Sequence, residues 1–266
     1  MKILLCTNAF EVVSNGPAKF AHLLLQLEND YPGYEVRILT EDIKQPVTGK
    51  IYKQHLTIPF FLKPAGMFLR MFQYHSTAMQ IHKNGYPFDI LIYNNAIVGL
   101  WSGLWFKNTI GFINDDNNAS ADFKSGFLKF KWNKARVFFI TEWLATKTCR
   151  KIVVNSNYLF QSIKTKYHIA PKKINLLYKA IEIDPVLSKR NNTLPIILFV
   201  KNDYARGGLF ILVEALKTLN RPLTLIVAGT PLDLKNQLIN KLKGSAVQLQ
   251  FEGIVPQHEI YQLMKK

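Results

Sequence analysis

Two cations and two glycines share one short stretch, KNDYARGG: Lys201, Arg206, Gly207 and Gly208. A guanidinium forks onto two phosphate oxygens, an ammonium adds a point charge, and glycine lets backbone N–H groups approach closely. Such a turn can neutralise a diphosphate, although a solvated basic turn would look the same. It follows the apolar run PIILFV and precedes LFILVEALKTL, which has helical spacing, so it falls at the carboxyl end of a strand, where open α/β sheets take their ligands. A second group, Asn114, Asp115, Asp116, Asn117 and Asn118 in GFINDDNNAS, crowds amides and carboxylates directly after another apolar run. Sugars suit such groups because their alcohols both donate and accept. An Asx-rich turn capping the next helix would use the same residues. The third stretch is SNGPAKF, where Gly16 and Pro17 open a helix whose unpaired N–H groups attract anions and Lys19 adds a charge. No histidine or third carboxylate stands at ligand spacing beside the aspartates, so no metal site is expected. His22, His55, His75, His82, His168 and His258 are scattered, and no nucleophile elbow, P-loop or zinc motif occurs.

These groups need elements that bring them to one edge. Lys2 to Cys6, Glu35 to Thr40, Asp89 to Asn95, Asn108 to Asp115, Lys151 to Ser156 and Lys173 to Lys179 read as short strands separated by helical patterns. That alternation implies parallel strands joined by crossover helices. Continuous apolar runs such as ILIY and KIVV fit strands buried on both faces. DPVLSKRNNTLP, residues 184–195, carries two prolines and no period and reads as a linker. Beyond it the alternation restarts with PIILFV, LTLIVAG and VQLQFEG, each followed by a helical pattern. The expected organisation is therefore two Rossmann-like parallel-sheet domains: residues 1–183, the linker, and a second, partial domain over 196–266.

Charge and composition bound the function. The 34 Lys and Arg against 18 Asp and Glu give a net +16, which favours phosphate-rich ligands, anionic lipid or nucleic acid. The excess concentrates in residues 123–151, where Lys124, Lys129, Lys131, Lys134, Arg136, Lys147, Arg150 and Lys151 oppose only Glu142 and Phe127, Phe130, Trp132, Phe138, Phe139 and Trp143 are interleaved. One reading is a helix lying on a membrane surface, with the apolar stretch 56–72 beside it; the other is a buried aromatic face under a solvated basic one. No recognition helix or RNA-stacking motif appears, so nucleic acid is not expected. No apolar run reaches the length of about eighteen residues that a spanning helix needs, and MKILLC is too short for a signal peptide. A cytoplasmic location, peripheral to the membrane at most, is the default. Cys6 and Cys149 have no partner spacing and read as buried apolar residues.

Taken in order, MKILLCTNAF, NGPAKFAHLL, RKIVVNSNYLFQSIKTKYHIAPKKINLLYKAIEID, IILFVKNDYARGGLFILVEAL, LTLIVAGTPLD and VQLQFEGIVPQHEIYQLM resemble a GT-B fold glycosyltransferase of the family 4 type. The resemblance implies a retaining, metal-independent transfer of a sugar from a nucleotide-sugar donor to a glycan or lipid-linked acceptor, with no cofactor beyond that co-substrate. It implies acceptor binding on the first domain, with Asn15, Lys19, Asp116 and Asn117 on the acceptor side and Asn114 and Asp115 beside the transferred sugar. Gly16, Lys201, Arg206 and Gly207 are similar to the family's donor diphosphate contacts, and Gly229 and Thr230 to the loop beside the nucleotide base. The family usually places a second cation next to the arginine and a glycine where Lys201 stands. It also carries a pair of glutamates beyond the position equivalent to YQLMKK, so a shortened donor domain, and an inactive chain, are expectations of the same comparison. The alternative is a non-catalytic basic module on anionic membrane or nucleic acid.

Overall fold

A computed structural model describes residues 1–11, 16–44, 49–57, 66–116, 134–178, 194–205, 207–219 and 221–264. The chain divides into two compact units, Met1–Ala180 and Ile181–Lys266. The expected linker lies almost wholly outside the described residues.

In the first unit the elements run β1 (Lys2–Thr7), α1 (Gly16–Asp30), β2 (Glu35–Thr40), β3 (Ile51–Lys53), α2 (Gly66–Lys83) and β4 (Ile90–Tyr93). A 3₁₀ turn, Ala96–Gly99, leads into α3 (Leu100–Trp105), followed by β5 (Thr109–Ile113), α4 (Lys134–Thr148), β6 (Lys151–Val154), α5 (Asn157–Tyr167) and β7 (Ile174–Leu176). All seven strands are parallel in the order β3-β2-β1-β4-β5-β6-β7. The order reverses direction between β1 and β4, which is the position where such sheets open a ligand crevice.

Both faces are covered, so alternate residues of one strand enter different cores. Ile3 and Leu5 of β1 pack with Ala21 and Phe20 of α1, whereas Leu4 and Cys6 pack with Tyr74 and Ala78 of α2. Further along the sheet, Ile152 and Val154 of β6 meet Ala145 of α4 and Leu159, Ile163 and Tyr167 of α5. Cys6 and Cys149 are both buried and unpaired. Burial pushes the Cys149 thiol up to about 12, and Cys6 higher still, so neither is a thiolate near neutral pH.

The second unit repeats the pattern at smaller scale: β8 (Ile196–Val200), α6 (Leu209–Thr218), β9 (Leu223–Ala228), α7 (Leu234–Leu242), β10 (Val247–Gly253) and α8 (Gln257–Met264). Its three strands are parallel in the order β10-β9-β8. Leu225 and Val227 of β9 face α6 and α7, while Ile226 and Ala228 face the other way, toward Leu263 of α8. The fold is therefore α/β with two parallel sheets, as the alternation of apolar runs implied.

Candidate active site

Parallel strands deliver their carboxyl ends to one edge, and in the first unit three of them deliver an asparagine. Asn94 follows β4, Asn114 follows β5 and Asn155 follows β6. The three are linked across the sheet. The Asn114 side-chain amide donates to the Asn94 Oδ1 at 3.1 Å and to the Asn94 carbonyl at 3.3 Å. Asn155 Nδ2 donates to the Asn114 carbonyl at 3.0 Å. Asn94 is nearly buried, and its own amide reaches the Pro17 carbonyl in the first turn of α1 at 3.4 Å. The exposed Gly16 at the start of α1 and the Asn114 loop are thus brought to the same end of one sheet, joined through Asn94.

Carboxylates fix the neighbouring loops. Asp42 accepts the N–H groups of Phe10 at 2.7 Å and Glu11 at 3.1 Å, holding the segment that leaves β1. Glu41 is bound by Arg70 of α2, whose Nε lies 2.8 Å away, and by the Tyr74 hydroxyl at 2.7 Å. That hydroxyl also lies 2.9 Å from the Thr7 carbonyl. Burial first, and the Glu41 charge second, hold the Tyr74 phenol well above its ordinary value, so it stays a neutral donor.

The sequence-derived residues fare differently. Asp115 is exposed beside Asn114. The Asp116 carboxylate is engaged by α5, accepting from Ser162 Oγ at 2.9 Å and lying 2.5 Å from Lys166 Nζ. Lys19 lies in the first turns of α1, partly exposed. Asn15, Asn117 and Arg206 lie outside the described residues.

In the second unit, Lys201 leaves β8, and its N–H donates to the Ala228 carbonyl at 3.2 Å, next to Gly229 at the end of β9. Gly229 has φ +82, and a Cβ there would stand 3.3 Å from the Lys201 carbonyl carbon. Its N–H donates to the Gly253 carbonyl at 2.6 Å, which ties the end of β10 to the same spot. Gly207 packs where a Cβ would lie 2.9 Å from both Lys201 Cγ and the Phe199 ring. Lys201, Gly207 and Gly229 therefore gather at the carboxyl edge of this sheet. Gly208, in the left-handed region, begins α6 without a side-chain cap. Thr230 is fully buried, and its hydroxyl has no hydrogen-bond partner among the described residues. A buried hydroxyl without a partner costs free energy, and a site that receives a polar ligand is one place where that cost is offset.

Sequence reasoning missed Asn94 and Asn155. The signal was present: LIYN, GFIN and IVVN each end an apolar strand on asparagine. Among the described residues no three His, Cys, Asp or Glu side chains gather in a way that could hold a metal ion.

Two parallel-sheet units, each with its polar loops at the carboxyl edge, are the components of the GT-B glycosyltransferase fold, and solved structures of that class resemble the whole chain. Sucrose-phosphate synthase from Thermosynechococcus elongatus superposes with a TM-score of 0.69 at 14% identity, over 100% of this chain and 73% of that one. The lipopolysaccharide outer core galactosyltransferase WaaB gives 0.64 at 14% identity, over 100% and 72%. TarM gives 0.60 at 9% identity, over 98% and 78%. No curated protein matches the chain by sequence. The profile of Glycosyltransferase Family 4 matches residues 20–185, more than half of the chain, and the protein belongs to that family. Nothing in these likenesses supports the alternative of a non-catalytic module.

Proposed function

We propose that the protein moves a sugar from a nucleotide-sugar to a hydroxyl of a glycan or lipid-linked acceptor, with the donor nucleotide on the second unit and the acceptor on the first. The observation that carries this reading is the convergence of Lys201, Gly207, Gly229 and the unpartnered Thr230 hydroxyl at one edge of the second sheet. A nucleoside diphosphate presents there what the residues lack: anionic oxygens for the cation and the helix start, and polar atoms for a buried hydroxyl. Arg206 supplies the second cation. UGT89C1 from Arabidopsis thaliana, whose structure is complexed with UDP, shares the fold with a TM-score of 0.53 at 14% identity.

The transfer is retaining. The bond from the anomeric carbon to the diphosphate oxygen breaks as the acceptor oxygen bonds to the same face, and the acceptor proton passes to the departing phosphate. Lys201, Arg206 and the start of α6 stabilise the charge that develops on the leaving group, a role that calls for no metal ion. Gly16, at the start of α1, is assigned to the donor phosphates and Lys19 to the acceptor. Asn114 and Asp115 hold sugar hydroxyls, with Asn15, Asp116 and Asn117 on the acceptor side.

Isothermal titration with UDP- and GDP-sugars tests the donor assignment. Binding is expected, and Lys201→Ala or Arg206→Ala should each weaken it about tenfold or more, as removing a charge-assisted hydrogen bond does. Binding indifferent to both substitutions, or absent altogether, would remove the assignment.

A further inference from the structure

A six-residue helix facing water ordinarily turns polar side chains outward, and α3, LWSGLW, does the opposite. Its buried residues are Leu100 and Ser102, while Trp105 is 69% and Leu104 61% exposed, with Trp101 also outward. The helix is seated firmly. Gly103 lies so close to the end of α4 that a Cβ would come within 2.8 Å of the Thr148 backbone, and α2 packs on the other side. The helices packed on α3 also expose apolar side chains, Phe72 of α2 and Ile140 and Trp143 of α4, and the His75 ring of α2 stacks on Trp105 at 6.1 Å. Apolar area of this extent, presented on packed helices, is unusual for a face that meets only water.

Charge decides what covers it. Neither α2 nor α3 contains an acidic residue, and the single acid of α4, Glu142, is only 2% exposed and accepts from the Tyr167 hydroxyl. The layer therefore carries no exposed carboxylate. Cations border it instead. Lys147 of α4 sits with its Nζ 5.9 Å from the centre of the Trp143 ring. Lys107 and Arg150 follow the ends of α3 and α4. Two copies meeting through this face would set these cations against one another, because a two-fold contact opposes each patch to itself. An anionic bilayer complements both features: tryptophan rings settle at headgroup depth, and lysine and arginine meet lipid phosphates.

We propose that the α2–α3–α4 layer of the first unit docks on an anionic lipid surface, with Trp101, Leu104 and Trp105 as the inserting side chains. The proposal goes beyond the sugar-transfer reading and does not depend on it. It differs from the expectation drawn from residues 123–151, because Phe138 and Phe139 of that stretch pack against the core and the inserting residues stand on a helix that composition alone did not single out.

Flotation of the full chain with phosphatidylglycerol vesicles, compared with phosphatidylcholine vesicles, is the test. The chain should float with the anionic vesicles, and its tryptophan emission should be quenched by brominated acyl chains. The triple variant Trp101→Ser, Leu104→Ser, Trp105→Ser should lose at least about tenfold in vesicle affinity, and Lys147→Glu with Arg150→Glu should weaken binding most at low salt. Trp101, Leu104 and Trp105 are outward, so circular dichroism of the triple variant should show an unchanged fold. Failure of the wild type to float overturns the proposal, as does flotation without quenching or equal binding by the triple variant. A concentration-dependent dimer abolished by the same triple variant, with no lipid binding, would assign the face to a second copy and overturn it too.

Discussion

Substituting alanine at Gly229 tests the geometry of the second unit directly, because Gly244 supplies an internal control. Both glycines lie in the left-handed region, with φ +82 and +81. Placing an L-residue there costs about 1–2 kcal/mol from backbone sterics alone. They differ in surroundings. At Gly244 a Cβ meets nothing within 4 Å, whereas at Gly229 it stands 3.3 Å from the Lys201 carbonyl carbon, 3.5 Å from the Lys201 nitrogen and 3.6 Å from the Asn202 nitrogen. The obstacles are backbone atoms, which cannot rotate aside as a side chain would. Nor can the Gly229 peptide swing away freely, because its N–H is bonded to the Gly253 carbonyl. Overpacking of this kind adds about 1–3 kcal/mol. Gly244→Ala should therefore lose about 1–2 kcal/mol and Gly229→Ala about 2–5 kcal/mol.

The assay must report on the second unit. All four tryptophans, at positions 101, 105, 132 and 143, lie outside it, so their emission is blind to its opening. Hydrogen exchange of β9 and β10 amides gives the local opening free energy instead. Titration with a UDP- or GDP-sugar supplies the functional arm: Gly229→Ala should weaken binding, and Gly244→Ala, at the far end of the sheet, should leave it unchanged. If the two variants are equally destabilised, the close crossing of Gly229 and Lys201 is refuted. If they bind nucleotide equally well, the carboxyl edge is not the donor site.

Two further outcomes concern the first unit. Asn94→Ala should cost about 1–3 kcal/mol by removing its side-chain bonds to Asn114 and Pro17, and Asn155→Ala, which removes one partly exposed bond, about 1 kcal/mol; urea unfolding followed by tryptophan emission checks both, and equal effects would break the asparagine chain as described. Burial holds the His75 imidazole below its ordinary 6.5, so the unfolded chain takes up the proton more readily and stability should fall as pH drops below about 6.5 and stay flat above it; His75→Gln should flatten that acid limb, and an unchanged limb would place its origin elsewhere.

What could be read beforehand follows the physics of each element. Apolar runs, continuous in doubly buried strands such as β4 and β6 and alternating in β10, made nine of the ten described strands legible; β3, Ile51–Lys53, offers no run to recognise. The 3₁₀ turn and α3 escaped because NAIVGLWSGLW has no polar side, and amphipathic periodicity vanishes when the outward face is as apolar as the inward one. Asparagines after single strands look like turn residues one at a time. Only the neighbour relations β4-β5-β6 reveal that three of them touch. The NDDNN loop was legible as polar chemistry, but not that Asp116 would be held by Ser162 and Lys166 of α5, since that pairing depends on β6 lying beside β5 and sending its helix past the loop.

Topology also separates the two kinds of chemistry on the first unit. Because every strand is parallel, each helix ends near the amino end of the next strand. Lys147, Arg150, Lys151, Lys172 and Lys173 therefore collect at the edge opposite Asn94, Asn114 and Asn155. Several of these lysines are spent on backbone carbonyls there: Lys147 on those of Tyr167 and His168, Lys173 on that of Lys147, and Lys151 on that of Lys172. Each carbonyl leaves its lysine with donors to spare, since an ammonium has three, so the cluster still presents positive charge outward while satisfying the negative ends of α4 and α5. One set of cations thus closes helices and borders the tryptophan face at once. The opposite edge carries the amides of Asn94, Asn114 and Asn155 and the start of α1, so lipid docking through the first set, as proposed, leaves the second uncovered.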